Sequence, residues 1–509
     1  MTSKLYLLIL APLLCFSTLT FGQSKTFHTS KAPAPEAGTM FIFPERIILG
    51  NGGFFNAERA MMFVPLNRSA NNSDVISLEV YRFRASEKAN PNTPPIFYLH
   101  GGPGFQGLED QLNEPGYFEE NWQYMLDVAD VVVVSQRGIG PSKPTTTIET
   151  TEKIFPPDVP FDNDHAVESL QKLLISERME WEKLGLDLQG YTVLEAAEDV
   201  NDVRKALGYD KITIWGGSFG SHWAMSLMRL HPEIIERAIL RGMEGPDHTY
   251  DHPGHAWNVY KRLAEEAENA PELKGLIPKG GLIAAAETIV KRIEKEPVTV
   301  EVKDIETGEI QKVLFDLNSA RYLLRGYSND LASWPADIIT LYNGDFTAAA
   351  EMVIERFKSS GRTFKTASYY MLDCGSGITA ARLEDYLADP SARILQTNMD
   401  YINECPCWDS DLGDDFRKNF ETFIPTVIVQ GTWDRSTPYE NALELVPYFR
   451  DSKFITLKRG PHSAIKAAMQ ASEEFKEGIL KFAECGDKSG LPDKMELPQL
   501  KWVVPVLKQ

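Results

Sequence analysis

The sequence has few cysteines, few basic residues relative to acidic ones, and no long apolar run beyond Phe21. Lys and Arg number 52 against 72 Asp and Glu, which gives a formal net charge of −20. Because phosphate binding requires clustered cations, this deficit argues against a nucleic-acid partner. The lack of a later apolar stretch of about 18 residues argues against stable membrane insertion. No pattern in the sequence indicates an oligomeric state.

The N-terminus carries Lys4 followed by an apolar run from Leu5 to Phe21, with Gly22 as a small residue before a polar stretch. This pattern predicts a signal peptide over residues 1–22, cleaved near Gly22. The mature protein is therefore expected to be secreted or periplasmic. An uncleaved membrane anchor is the alternative.

Five cysteines occur in the chain, and loss of the signal peptide removes Cys15. Export makes disulfides plausible for Cys374, Cys405, Cys407 and Cys485, although sequence spacing does not choose among the possible pairings. A zinc site is the alternative, but no histidine lies near these cysteines in sequence to complete it. We expect neither a metal nor an organic cofactor.

Short apolar runs end in glycine-bearing turns and are followed by helical patterns. This alternation is typical of a mostly parallel sheet with helices on both faces. From about residue 246 to about 416 the pattern becomes largely helical. We therefore predict a core over 23–245 and 417–509, interrupted by a mainly helical cap over 246–416. The strands are predicted at 96–99, 131–134, 212–215, 238–240, 426–430 and 454–457.

The segment from Gly216 to Gly220 reads Gly-Gly-Ser-Phe-Gly and stands between a predicted strand and a predicted helix. This is the context of a nucleophile elbow, in which a strained turn presents a serine hydroxyl and the glycines avoid clashes. It predicts Ser218 as the nucleophile. The backbone N–H of Phe219, at the start of the helix, is then a candidate donor to a developing oxyanion.

A second oxyanion donor is expected from the loop after an earlier strand, where the chain reads His-Gly-Gly-Pro-Gly from His100 to Gly104. Glycines let a backbone N–H approach a carbonyl oxygen without steric obstruction. We predict Gly102 as this donor. The alternative is a purely structural glycine-rich turn.

A serine hydroxyl becomes a good nucleophile only when a base removes its proton and a carboxylate orients that base. In a strand-turn-helix hydrolase the chain order is serine, acid, histidine. Asp434 and His462 follow the last two predicted strands in that order. The sequence therefore predicts a triad of Ser218, Asp434 and His462.

These motifs, together with the Gln-Arg-Gly-Ile-Gly-Pro-Ser stretch from Gln136 to Ser142, resemble those of the proline iminopeptidase and tripeptidyl aminopeptidase group. The resemblance covers the whole predicted core and implies an α/β-hydrolase fold. It also implies peptide substrates, removal of residues from a free N-terminus, and a cap that limits substrate length. Cysteines in the caps of secreted relatives suggest that Cys374 and the Cys405 to Cys407 segment form a disulfide that pins the cap.

The proline iminopeptidase and tripeptidyl aminopeptidase group usually has an aspartate at the position of Ser135. The resemblance therefore does not carry over any ion pair of that aspartate near Arg137. Arg137 is expected to brace loops. Recognition of a free amino terminus requires a carboxylate paired to the ammonium. Glu244 is the first candidate, with Asp373 and Glu404 behind it, and solvated surface carboxylates are the alternative.

The expected reaction is acyl transfer through an acyl-enzyme, with His462 as general base and then general acid. The same residues would also serve an esterase or lipase, because a triad does not distinguish amides from esters. The remaining alternative is a binding protein that retains the fold.

Overall fold

The computed structural model describes residues 5–7, 35–104, 107–148, 158–159, 163–304, 307–325, 330–359, 365–395 and 399–507. The strands in these residues are β1 (Leu5–Leu7), β2 (Met40–Ile48), β3 (Phe54–Pro65), β4 (Val75–Phe83), β5 (Ile96–Leu99), β6 (Val131–Val134), β7 (Thr147–Ile148), β8 (Ile212–Gly217), β9 (Ile235–Arg241), β10 (Val298–Lys303), β11 (Ile310–Phe315), β12 (Lys365–Thr366), β13 (Thr426–Gly431), β14 (Ser452–Lys458) and β15 (Lys494–Glu496).

The helices in the same residues are α1 (Leu108–Leu112), α2 (Tyr117–Asn121), α3 (Asn163–Lys183), α4 (Val193–Leu207), α5 (Phe219–Leu230), α6 (Pro253–Glu268), α7 (Gly281–Lys295), α8 (Leu317–Leu324), α9 (Trp334–Tyr342), α10 (Thr347–Ser359), α11 (Ala367–Ser376), α12 (Ala380–Ala388), α13 (Ala392–Leu395), α14 (Met399–Glu404), α15 (Asp414–Arg417), α16 (Tyr439–Leu445), α17 (Ala464–Ala471) and α18 (Glu473–Cys485).

The main sheet has the strand order β1-β2-β3-β4-β6-β5-β8-β9-β13-β14-β15. From β6 through β5 to β15 every neighbouring pair is parallel, whereas β2, β3, β4 and β6 pair antiparallel. The carboxyl ends of parallel strands meet at one edge of a sheet. The loops after β5, β8, β9, β13 and β14 therefore gather at this edge.

Helices cover both faces of the parallel part, and this explains its sequence. All four valines of β6 are buried, as in strands that are covered on both sides. One face carries α4 and α5, and the other carries α17 and α18. α4 begins at the cap Thr192, whose hydroxyl accepts from Glu195 N, and ends at Gly208 with φ 79°. The predicted sheet with flanking helices is confirmed.

The predicted strands all occur, some with longer bounds. The sequence patterns missed the antiparallel strands β2, β3 and β4, which form one side of the sheet. They also missed the hairpin of β10 and β11 inside the predicted cap. The strands of this hairpin are partly exposed, so they lack the apolar runs by which the buried strands were recognised.

The segment predicted as a cap contains two kinds of packing. Helices α6 to α9 share an apolar core, separate from that of α4 and α5, through residues such as Trp257 and Trp334, and Trp433 and Trp502 from beyond the predicted cap also join it. In contrast, α11 packs into the same core as α4 and α5, through Tyr370 and Leu372. We retain 246–416 as the proposed extent of the cap, with α11 as its contact to the sheet.

The structure contains a disulfide between Cys374 and Cys405, which joins the end of α11 to the end of α14. Cys407 is a buried free thiol and Cys485 is an exposed one. The expected bond between Cys374 and the Cys405 to Cys407 segment is thus present, but the four cysteines do not all pair.

The predicted signal peptide lies outside the described residues except for β1, which runs parallel to β2. Its cleavage and the export of the protein therefore stay predictions. Within the described part of the chain, none of the helices combines the length and apolar character needed to cross a bilayer.

Candidate active site

Ser218 occupies the turn between β8 and α5. Its φ of 58° and ψ of −136° lie in a region that a side chain rarely adopts, at a cost of about 1–3 kcal/mol. The turn is held by the backbone N–H of Ser218, which lies 3.2 Å from Arg241 O and 3.1 Å from Gly242 O. A Cβ at Gly220 would collide with the carbonyl oxygen of Leu99. The structure therefore has the tight turn that the glycines predicted.

Asp434 and His462 lie in the loops that follow β13 and β14. His462 Nδ1 is 2.9 Å from both carboxylate oxygens of Asp434. The carboxylate is buried, whereas the imidazole side chain is 36% exposed and is open to a substrate. Burial alone would raise the pKa of Asp434, but the His462 charge and the hydrogen bonds from His462 and Thr437 outweigh it, so the pKa is lowered.

Ser218 and His462 approach each other at Gly242, the residue after β9. A Cβ added to Gly242 would lie 3.1 Å from His462 Cε1 and 3.3 Å from Ser218 N, and its φ of 52° also favours glycine. Within the described residues, Ser218 Oγ and the imidazole do not share a hydrogen bond. Such bonds commonly tighten only when substrate is present. The structure brings the three predicted residues to one place, and their roles remain proposals.

The two predicted oxyanion donors flank the serine. Phe219 is the first residue of α5, so its N–H has no acceptor within the helix. Gly101, which precedes Gly102, abuts the nucleophile, because a Cβ there would lie 3.1 Å from Ser218 Cβ. Gln136 holds this loop, since its Oε1 accepts from Gly104 N at 2.9 Å and its Nε2 donates to Gly101 O at 3.1 Å. The location fits the predicted role of Gly102.

Two polar side chains that the sequence did not single out hold Asp434. Thr437 Oγ1 donates to Asp434 Oδ2 at 2.8 Å and lies 3.2 Å from His462 Nδ1. Gln430 Nε2 donates to the Thr437 carbonyl at 2.8 Å, and its Oε1 accepts from Met243 N at 3.0 Å. The position of Thr437, three residues after Asp434, could have indicated its contact with the acid. Threonine and glutamine are common in and near loops, however, so neither residue stands out in the sequence.

Replacing Thr437 with valine is expected to lower kcat about tenfold with little change in KM, because a hydrogen bond to a carboxylate is worth about 1.5–3 kcal/mol. Steady-state kinetics would measure this. Thr426→Val is the control, since the buried Thr426 hydroxyl donates only to Ile424 O at 2.8 Å. Equal kcat values for the Thr437 variant and the wild type would contradict the assignment.

Glu244, the first carboxylate suggested for amine recognition, lies beside the turn of the nucleophile, and Asp373 lies near it. Glu244 follows β9, and its backbone N–H is 2.9 Å from Ser221 Oγ, which in turn donates to Ser218 O at 2.7 Å. Its pKa is raised well above the usual range by burial, and the charges of Asp373 and Asp251 raise it further. Glu244 is only 9% exposed, so the alternative of a solvated surface carboxylate is wrong.

Three tyrosines connect this acidic cluster to the oxyanion loop. Tyr401 donates to Asp373, and the Tyr369 and Tyr401 hydroxyls are 2.8 Å apart. Tyr250 stacks on Tyr401 with ring centroids 5.4 Å apart. Tyr369 packs on Gly104, where an added Cβ would lie 2.5 Å from Tyr369 Cβ.

The third suggested carboxylate, Glu404, is buried at the end of α14, next to Cys405 of the disulfide. Burial is the main cause that raises the pKa of Tyr250, and the charges of Asp373 and Glu404 also contribute. We therefore define the acidic cluster as Glu244, Asp373 and Glu404 with their neighbouring tyrosines.

Arg137 lies away from these carboxylates and braces loops, as predicted. Its side chain is fully buried and binds Asp199 through Nε at 2.5 Å and Nη2 at 2.7 Å. Nη1 also donates to Gly190 O at 2.6 Å. Asp199 of α4 thus supplies the ion pair that the serine at position 135 cannot form.

Comparisons with known proteins agree with this fold. A family model described as the alpha/beta hydrolase fold matches residues 94–268. The proline iminopeptidase of Neisseria meningitidis (serogroup A, strain Z2491) is 27% identical over 165 residues, which span 32% of this chain and 37% of that relative. The chain thus covers little more than a third of that relative's length.

Two other relatives match over most of the chain. The tripeptidyl aminopeptidase of Streptomyces lividans is 23% identical over 423 residues, which is 77% of this chain and 75% of the relative. The serine protease Hip1 of Mycobacterium bovis is 21% identical over 450 residues, or 81% and 82% of the two chains. The predicted fold class is confirmed, as is the resemblance to the proline iminopeptidase and tripeptidyl aminopeptidase group.

Proposed function

We propose that this protein is a serine aminopeptidase that releases residues from the free N-terminus of peptides through an acyl-enzyme. One observation carries the proposal. A buried group of carboxylates, including Glu244 and Asp373, lies next to the turn that bears Ser218. Buried like charges favour a cation among them, and the α-ammonium of a peptide supplies one close to its first bonds.

The proposed chemistry uses this chain's own groups. His462 takes the proton from Ser218 Oγ, and the hydroxyl attacks the peptide carbonyl while the Phe219 and Gly102 N–H groups stabilise the oxyanion. His462 then protonates the leaving amine and activates water for deacylation. Asp434 keeps the imidazole in one tautomer and stabilises its charged form throughout.

The peptidase names of the relatives support an amide substrate for this site. The same triad would also cleave esters, so the acidic cluster carries the argument for an aminopeptidase over an esterase. Selection for substrates with free amines is therefore the property to test.

The wild-type enzyme is expected to cleave a free tripeptide-chromophore with kcat/KM about 10²-fold or more above that for the N-acetylated form, because acetylation removes the cation from a buried ion pair. Paired progress curves at one enzyme concentration would measure the ratio. Equal rates on the two peptides would remove the aminopeptidase assignment, and faster turnover of a simple acyl ester than of either would favour an esterase.

A further inference from the structure

Arg241, the last residue of β9, lies directly against the backbone that presents the nucleophile. β8 and β9 pair Gly217 with Arg241. A Cβ added to Gly217 would lie 2.7 Å from Arg241 Cγ and 2.8 Å from its Cζ. The whole side chain therefore crosses the residue that precedes Ser218.

The same side chain also reaches the histidine loop. Arg241 Nη1 donates to the backbone carbonyl of His462 at 2.9 Å. Its charge acts on the oxyanion loop as well, because burial first and then Arg241 lower the pKa of His100 to about 4. One guanidinium thus stands where the loops after β5, β8 and β14 meet.

Some of the less exposed arginines of this protein bind carboxylates. Arg137 pairs with Asp199, and Arg459 pairs with Glu266 at 2.6 Å. In the portion of the chain that the structure describes, no carboxylate oxygen lies within 4.0 Å of the Arg241 guanidinium. Holding a partly buried cation without a counter-charge is costly, and such local costs are typical of functional sites.

We propose that Arg241 is a positioning residue that holds the His462 loop at a fixed distance from Ser218. This inference rests on the proposed triad. Asp434 and Thr437 orient the imidazole from its Nδ1 side and belong to the loop after β13. Arg241 adds a link from the histidine loop to the serine turn, so it controls the separation across which the proton moves.

Loss of this link is expected to affect turnover more than substrate binding. Arg241→Met should lower kcat about 10²-fold and leave KM within about twofold, because a displacement of about 1 Å at a reacting pair costs about 10²-fold in rate. Arg241→Lys should recover part of the activity, since an ammonium keeps the charge and one donor. Free guanidinium ion, below its unfolding concentration, should partly restore Arg241→Ala.

Arg237 provides a matched control because it lies four residues earlier on β9 and its side chain points to the same face. It also donates to backbone carbonyls, at 2.7 Å from Ala483 O and 3.0 Å from Glu484 O, far along the strand from the nucleophile. Arg237→Met should unfold at a lower temperature and keep wild-type kcat. Any general effect of losing a buried arginine would appear in this variant.

The outcomes separate the inference from the proposed function. Wild-type kcat in folded Arg241→Met, or a rise in KM alone, would overturn the positioning role. If Arg241→Met does not fold, Arg241→Lys is measured in its place. Its kcat must then fall, by less than expected for methionine, with KM unchanged. Wild-type kcat in Arg241→Lys would overturn the positioning role. Activity that survives in Ser218→Ala would instead refute the proposed function itself.

Discussion

Replacing Asp434 with asparagine is expected to lower kcat by about 10⁴-fold on peptide substrates. The carboxylate accepts from His462 Nδ1 at 2.9 Å, which leaves Nε2 free to take a proton. An asparagine amide can present an N–H donor at that point and favour the opposite tautomer, in which the serine faces no base. The residual rate should exceed that of Ser218→Ala, because the asparagine variant keeps the serine nucleophile as well as the oxyanion donors.

The control for this change is another buried carboxylate outside the site. Asp304 in the hairpin of β10 and β11 accepts from Thr307 N and Gln311 Nε2, both at 3.0 Å. Asp304→Asn should keep wild-type kcat. Fluorophosphonate labelling gives a second measurement. Ser218 should react slowly with the reagent in Asp434→Asn, and Ser218→Ala should not be labelled. A loss below about tenfold in Asp434→Asn would contradict its role as the orienting acid.

The triad could be predicted because it depends on chain order and on strand ends. Ser218 and Asp434 each follow a fully buried strand, and His462 follows a half-buried one, and the apolar residues of all three strands are visible in the sequence. Parallel strands bring such residues to one edge regardless of the loops between them. Sheet topology, rather than any local motif, therefore explains why residues more than 200 positions apart meet.

The side chains that hold the triad could not be predicted. Gln430 contacts Met243, and Arg241 contacts His462, across loops whose relative position is set only when the sheet forms. Hydrogen-bonding residues of these types are common in loops, so their presence carries little information. The disulfide shows the same limit, because the choice of Cys405 over Cys407 depends on how α14 approaches α11.

The acidic cluster could be predicted only in part. Glu244 was identifiable because it follows a core strand near the start of the predicted cap. Asp373 and Glu404 lie on α11 and α14, and only tertiary packing brings Asp373 close enough to raise the pKa of Glu244. Candidate carboxylates could therefore be named from the sequence, while their shared burial and their tyrosine partners are visible only in the structure.

Replacing Glu244 with glutamine is expected to lower kcat/KM for free-amine peptides by about 10²-fold, mainly through KM, and to leave an uncharged acyl ester unaffected. The amide removes the charge that would pair with the ammonium and keeps nearly the same shape. Michaelis–Menten curves on the two substrates would measure the contrast. An equal loss on both would indicate damage to the nucleophile turn rather than to an amine site.

The raised pKa of Glu244 also predicts opposite effects on activity and stability. Ammonium binding requires the carboxylate, so wild-type kcat/KM for free-amine peptides should fall as the pH decreases through the raised pKa, and this limb should be absent for the ester. The folded state holds the Glu244 proton more tightly than the unfolded chain does. Stability is therefore full below the unfolded pKa and is lost as the pH rises through the folded one.

Glutamine at position 244 cannot ionise, so Glu244→Gln should unfold at a higher temperature than the wild type at mildly alkaline pH, although it binds peptides less well. Glu195 is the matched comparison, because it is also 9% exposed but is paired with Arg68. Glu195→Gln should lower the unfolding temperature and keep the preference for free amines. A stabilised Glu244 variant with wild-type KM would mean that the buried charge serves something other than amine binding, since a cost in folding persists only where function uses it.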